Sequence, residues 1–410
     1  MSHAVWVAAS LLFVLFGIAD RELDVSSRLA VRFATGIAIG GTVMWAESLV
    51  GIPWTRVALV IPLLLFAGCW SLMRGQRHEA PATSNQQLNF ALQIAPILAL
   101  AIYAAATARE TSGDLLYFWG PKAQRFFFAQ KIDADFLAFP HYFLMHPDYP
   151  PLQPLVYVWS SIAAHRFSYW GATFLTPLYL VTAVLAFRGY AARPIGSAKA
   201  NTFATLLAAL LAFGFAKSQA AGGADPQLVM FAIVALSAIT FADATPIAAI
   251  ALAGAAFTKV EGAAFAIVVV IAYTLVRRDW RRTAILGLPA AILLGSWILF
   301  ARAHGLVDTY ARGRTPLHFE NLGLVLAVTA VEARYGAMGL PWIAALAPIA
   351  FARNWRRAAL PLLVAAASIA YTIFFYLHEP NAAWWIRASA ERVLLTPLAA
   401  LLVATAAASE

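Results

Sequence analysis

Charged side chains stand among glycines, alanines and prolines in SGDLLYFWGPKA around Asp114, AAGGADPQLV around Asp225 and FTKVEGAAF around Lys259 and Glu261. A fourth group, Glu379, Arg387, Glu391 and Arg392, precedes the last apolar run. Small neighbours let the backbone approach another group closely. Each charge also sits at the end of an apolar run, where an ionisable group costs little if it stays solvated. Asp114 therefore has two readings. Partly desolvated under an aromatic segment, it serves as general base toward an acceptor hydroxyl or amine; following Ser112-Gly113, it equally suits the N-cap of a helix over 115–128. Asp225 before Pro226 has the pattern of an N-cap with proline at the first helical position. Its other reading is a carboxylate near a phosphate or a divalent cation (Mg or Mn), although residue 227 is Gln and not a second acid. Lys259, Arg387 and Arg392 offer a point charge and planar forks to a phosphate. Against this, Lys259 can pair with Glu261 or snorkel from its helix end. The segment HYFLMHPDYPP gathers His141, His146, Asp148 and Tyr149. Its spacing fits no zinc pattern, so it reads as a hydrogen-bonded loop that shapes the entry to the apolar segment 151–165.

The elements that must hold these residues are bilayer spans. Of 410 residues, 62% are hydrophobic and 12% charged, where a soluble chain is about half apolar and a quarter charged. The expected fold is all-α, a polytopic transmembrane bundle. Thirteen apolar runs qualify as spans: 4–19, 30–50, 55–73, 89–107, 167–187, 201–216, 227–243, 246–258, 262–276, 283–301, 338–352, 358–377 and 391–408. The net charge of +9 does not call for nucleic acid, because the basic residues cluster between apolar runs as the positive-inside rule expects. Placing Arg21/Arg28, Arg74/Arg77, Arg188/Arg193/Lys199, Arg277–Arg282 and Arg353–Arg357 on the cytoplasmic side gives one consistent orientation, N-terminus out and C-terminus in. Cys69 is the only cysteine, which excludes a disulfide framework and a cysteine metal site. The N-terminus lacks a basic n-region and reads as a first span, not a signal peptide. The absence of an Asn-x-Ser/Thr sequon and the Ala/Arg-rich usage point to a bacterial inner membrane.

Residues 151–165 are apolar but open with Pro150-Pro151 and carry Gln153 and Pro154. Counting them as a crossing would move the 188–199 arginines outside, so they read as a re-entrant helix, tolerated where protein covers its ends. The long outer loop 108–166 then carries Tyr117, Phe118, Trp119 and Phe126–Phe128, and its stretches 114–130 and 132–140 read as interfacial helices. A second outer region, 302–337, contains an interfacial stretch at 320–335.

The order of these features resembles the GT-C superfamily of integral membrane glycosyltransferases, which includes protein O-mannosyltransferases and the lipid A aminoarabinose transferase. The resemblance covers roughly residues 89–310 and Ser389–Leu395. A span leads to an outer loop bearing Asp114, an H-x-x-Y-P-P-L-like element at His146–Leu152, a later loop bearing Asp225, and a T-K-x-E-G element at Thr258–Gly262. It implies three parts: an extra three-span module at 1–85, a catalytic core at 86–310 and C-terminal spans at 311–410. It further implies transfer of a sugar from a polyprenyl-phosphate donor to a lipid, glycan or protein acceptor at the periplasmic face. Asp114 and Asp225 would be the catalytic acids; Lys259, Arg392 and Arg387 would hold the donor phosphate. His146, Asp148, Tyr149 and Glu261 would shape the loop or the acceptor site, and a divalent cation at Asp225 is the one cofactor it raises. A secondary transporter or flippase-like protein is the alternative; such proteins usually carry internal repeats and charges near the midplane, and no repeat is evident here.

Overall fold

The computed structural model describes residues 2–62, 112–139, 145–215, 221–306, 316–335 and 354–410, with a few isolated positions between them. Among the described residues every regular element is helical. In chain order these are α1 (Ser2–Leu11), α2 (Phe13–Phe16), α3 (Val25–Leu49), a π-helical turn (Asp114–Trp119), α4 (Gly120–Ala129) and α5 (Ala134–Ala138). Next come α6 (Leu152–Ala164), α7 (Tyr169–Thr173), α8 (Leu175–Ile195), α9 (Ser197–Gly214), α10 (Asp225–Phe241) and α11 (Thr245–Ala256). The chain continues with α12 (Val260–Arg277), α13 (Trp280–Ala303), α14 (Leu322–Tyr335), α15 (Trp355–Leu377), α16 (Ala382–Val393) and α17 (Leu395–Ala408).

Among the described residues, six helices are long and apolar enough to cross a bilayer: α3, α7–α8 taken together, α9, α12, α13 and α15. The pair α16–α17 passes the same test as one span bent by 42°. The chain is thus a multi-pass helical membrane protein. The expected span 4–19 is two short helices, α1 and α2, ending at Gly17. The expected span 391–408 begins earlier, at Ala382, and breaks at Leu394. Pro397 explains the break, because it has no N–H for the Val393 carbonyl and its ring crowds that carbonyl. The stretches 55–73, 89–107 and 338–352 lie largely or wholly outside the described residues, as do Arg74 and Arg77.

The helix α10 needs no lipid-facing surface, since all 17 of its residues are buried. Around it pack α8, α11, α15 and α17. The arginine-bearing connections gather at one end of this bundle. Arg188 pairs with Asp24 at 2.5 Å and Arg193 with Asp20 at 3.0 Å. Lys199 donates to the Ser409 carbonyl, Arg282 pairs with Asp243 and Arg357 with Glu410. The helices α8, α10, α12 and α17 each run toward that end. The acids Asp225 and Glu261 stand at the opposite end, in the first turns of α10 and α12.

The short helix α6 does not use this crossing geometry. It has 13 residues, about 20 Å against a hydrocarbon core of about 30 Å. Leu152 through Ile162 are all buried. Its first amide donates to the carbonyl of Phe257, two residues before Lys259, at 3.0 Å. Its last turn lies beside α1, where Trp6 Nε1 donates to Ser161 Oγ at 3.0 Å. The next helix pair starts at the same end of the bundle, since Thr176 Oγ1 accepts the amide of Gly222. Protein covers the helix from Leu152 to Ile162.

Gly262 sets how closely α12 approaches α11. A Cβ there would sit 1.9 Å from the Ala255 carbonyl oxygen, which is main chain and cannot rotate away. Gly295 on α13 faces open space. In detergent, Gly262→Ala should lower thermal stability by about 1–3 kcal/mol through overpacking. Gly295→Ala should leave it unchanged or raise it by about 0.5 kcal/mol. Equal unfolding midpoints for the two variants would remove the close approach as a constraint.

Candidate functional site

Four segments far apart in the chain deliver charge to one place. Lys259, the residue before α12, has extended backbone (φ −167°), and the residue before it fixes where its stem begins. The Thr258 hydroxyl donates to the Gly254 carbonyl at 2.7 Å and lies 3.3 Å from Gln227 Oε1. From there Lys259 Nζ donates to Asp225 Oδ1 at 2.6 Å and pairs with Glu261 Oε1 at 3.3 Å. Arg392, in the last turn of α16, donates from Nη1 to Asp114 Oδ2 at 2.6 Å. Its Nε lies 3.8 Å from Asp225 Oδ2. The Lys259 and Asp225 side chains are only 8% and 5% exposed, so this pairing takes place largely out of water.

Neither aspartate is a cap. Asp114 lies in the first turn of the π-helical segment with Gly113 before it, and Ala224 precedes α10, with no side-chain cap bond in either case. Both carboxylates are turned to cations instead. The π-helical turn widens the backbone where Asp114 emerges, a device frequent at functional sites. Ser112 Oγ donates to the Ala221 carbonyl at 2.5 Å and so ties this segment to the loop that leads into Asp225. That loop turns on Gly222 at φ +75°, a conformation that costs glycine little. The Gly222 carbonyl accepts from Tyr157 at 2.5 Å, and Tyr157 accepts from Gln153 at 2.7 Å. The helix α6 thus braces the loop that carries Asp225.

A roof of aromatic residues adjoins the cluster. Lys122 Nζ donates to the His146 carbonyl at 2.5 Å. His146 has φ +50°, stacks on Tyr149 at 4.6 Å and lies 5.1 Å from Phe118. The Asp148 carbonyl accepts from Trp297 Nε1 at 2.7 Å. Burial pushes the Lys122 amine down to about 7, against the pull of Asp148. Burial, together with the positive charge of Lys122, Lys259 and Arg392, pushes His146 down to about 3. His146 is therefore neutral in the physiological range and acts through its ring and its carbonyl.

Asp114, Asp225, Lys259, Glu261 and Arg392 come together as the sequence reading expects. His146, Asp148 and Tyr149 form the adjoining roof. Arg387 does not join them: it is exposed and stands five residues before Arg392, about 140° around the helix. His141 is exposed as well. Sequence reasoning missed Lys122, Gln153, Tyr157 and Gln227. Lys122 had a readable signal, a lone lysine eight residues after Asp114 in an otherwise aromatic and small stretch. The others had none, being polar residues inside apolar helices.

A divalent cation does not fit this donor set. One oxygen of Asp225 is held by Lys259 and the other faces Arg392, so two cations already occupy the carboxylate. No group of three or more His, Cys, Asp or Glu suited to a metal occurs among the described residues. No family model matches the chain, and neither a curated protein nor a solved structure matches it.

Lys122 predicts a pH dependence. Its ordinary value is 10.5 and its folded value about 7. Between these values the unfolded chain binds more protons than the folded one, so stability rises with pH. Below about pH 7 both forms are charged and the full cost of burying the ammonium is felt. Unfolding midpoints of wild type and Lys122→Met, measured from pH 6 to 10, should diverge in the wild type's favour as pH rises. A constant difference would place the amine in a better solvated setting.

Proposed function

We propose that this chain is a glycosyltransferase of GT-C type, with the thirteen-span architecture read from its sequence. It moves a sugar from a polyprenyl-phosphate donor to a lipid, glycan or protein acceptor at the periplasmic face of a bacterial inner membrane. The observation that carries this reading is the meeting of Asp114, Asp225, Lys259 and Arg392 at the bundle end opposite the arginine-rich connections. The positive-inside rule makes that end the outer one.

In this reaction an acceptor oxygen or nitrogen attacks the anomeric carbon and the lipid phosphate departs. The acceptor must lose a proton and the departing phosphate needs positive charge. Asp114 takes the proton. Lys259 and Arg392 meet the phosphate, and Asp225 holds Lys259 in place and orients Arg392. Arg392 holds Asp114 by a charge-assisted bond. A donor phosphate competes for the same guanidinium and leaves the carboxylate to the acceptor. The base is then released only when the donor is seated.

The lipid tail needs an apolar path beside the cluster. A groove of about 530 Å³ between α12 and α13 is lined by Ile267, Val270, Ile271, Gly287, Leu288 and Ala291. Ala256 and Ala263, three and four residues from Lys259, line the same groove.

The test is transfer by membranes supplied with radiolabelled polyprenyl-phosphate sugars. Asp114→Asn should lower the rate by about 10²–10⁴, the usual range for loss of a general base. Full activity in Asp114→Asn would remove it as base. No transfer from any donor by wild type would favour a transporter.

A further inference from the structure

The arginines at the end of the bundle away from the charged cluster fall into two groups. Beside α3 and α8, Arg188 pairs with Asp24, and Arg193 with Asp20 and Glu22. Arg282 pairs with Asp243 and Asp279, and Arg357 with Glu410. Arg277, Arg278, Arg281 and Arg356 are exposed, and among the described residues no acid pairs with them. The chain brings these four to one corner. The helix α12 ends at Arg277, the backbone reverses through Arg278 (φ +55°) and Asp279, and α13 begins at Trp280. The one acid in that turn is engaged, since Asp279 caps α13 through the Arg282 amide and also meets the Arg282 side chain. The helix α15 packs against α12. Its late residues Tyr371 and Thr372 lie beside Lys259 and Glu261 at the start of α12. The two helices therefore run antiparallel, and Trp355 and Arg356 stand at the end where α12 finishes.

The surface at this corner is layered. Trp280 is 76% exposed and Trp355 is 49% exposed, each beside an arginine that lacks an acid partner. Indole rings in such positions sit at the headgroup level of a bilayer. One turn deeper, Leu275 on α12 and Ile285 on α13 are exposed as well. Charge, indole and aliphatic side chain thus follow one another toward the middle of the membrane. An anionic phospholipid has the same order: phosphate, glycerol ester and acyl chain. A free phosphate or a nucleic acid would meet the arginines and leave the two deeper layers without a partner.

We propose that this corner, the turn between α12 and α13 together with the start of α15, binds an anionic phospholipid of the cytoplasmic leaflet. Arg277, Arg278, Arg281 and Arg356 take the headgroup phosphate, Trp280 and Trp355 flank the glycerol, and the acyl chains run along Leu275 and Ile285. The arginines beside α3 and α8 do not compete, because acids of the chain already hold them. The lipid fixes the inner end of α12, the helix whose outer end follows Lys259. This site is separate from the charged cluster and does not depend on the reaction carried out there.

Full-length protein reconstituted in phosphatidylcholine vesicles tests this by quenching of tryptophan fluorescence with brominated lipids. The signal of Trp280 is the difference between wild type and Trp280→Phe. Brominated phosphatidylglycerol should half-quench that signal at a membrane fraction about tenfold lower than brominated phosphatidylcholine. Arg278→Gln and Arg281→Gln should each lower this preference by up to about fivefold, the weight of one arginine near a charged lipid surface, and together they should remove most of it. Arg387→Gln, at the opposite end of the molecule, should leave it unchanged. Quenching by brominated phosphatidylcholine equal to wild type shows that a variant is embedded normally; if the double variant fails that check, the single ones carry the test. Equal quenching by the two lipids in wild type overturns the site. So does a preference that survives the arginine changes, or one that Arg387→Gln lowers as far.

Discussion

One guanidinium stands between two carboxylates at the end of this bundle. Arg392 holds Asp114 directly and faces Asp225, whose other oxygen belongs to Lys259. Taking such charges out of water is expensive, and their attraction repays the cost only when the geometry is good. Much of the nearby architecture serves that geometry. Gly262 lets α12 close on α11, and Thr258 and Gln227 lock the turn before Lys259. Ser112 and Tyr157 pin the loop before Asp225 from two sides. Loss of any one partner would leave an uncompensated charge in a poorly solvated place. Such a cluster is weak evidence of stability and better evidence that the residues are kept for what they bind.

The same local device appears twice at this end of the molecule. Thr176-Pro177 comes just after the break between α7 and α8, and Thr396-Pro397 just after the break between α16 and α17. In each case the proline cannot bond to the residue four positions earlier, and the helix divides there. In each case the adjacent threonine takes a place near the site. Thr176 accepts the Gly222 amide, and Thr396 lines the cleft beside Asp225. At the second break the chain bends by 42°, and Thr396 comes into the wall beside Asp225.

Apolar runs and their arginine-rich connections were legible because membrane insertion depends on composition, which each segment carries by itself. So were Asp114, Asp225, Lys259 and Arg392, since a charge beside an apolar run stands out in any reading. The shortness of 151–165 was legible through Pro150, Pro151 and Pro154, and the helix there has 13 residues. What could not be read were pairings across the chain. Asp114 and Asp225 both fit the local pattern of an N-cap, and only the distant Arg392 and Lys259 turn them to another use. Arg387 stood as a further candidate beside Arg392 until helical geometry placed the two on different faces. Gln153 and Tyr157 are ordinary residues of an apolar segment until Gly222 comes within reach.

The first amide of α6 bonds to the carbonyl of Phe257, a residue made much later. During synthesis this helix leaves the ribosome before its partner exists. It is too short to settle across the bilayer and too apolar to remain in water. Several later helices must enter the membrane before it can be completed. The order of insertion is therefore written into the fold, and the segment that braces the acids is also the one most dependent on timely delivery of the rest of the chain.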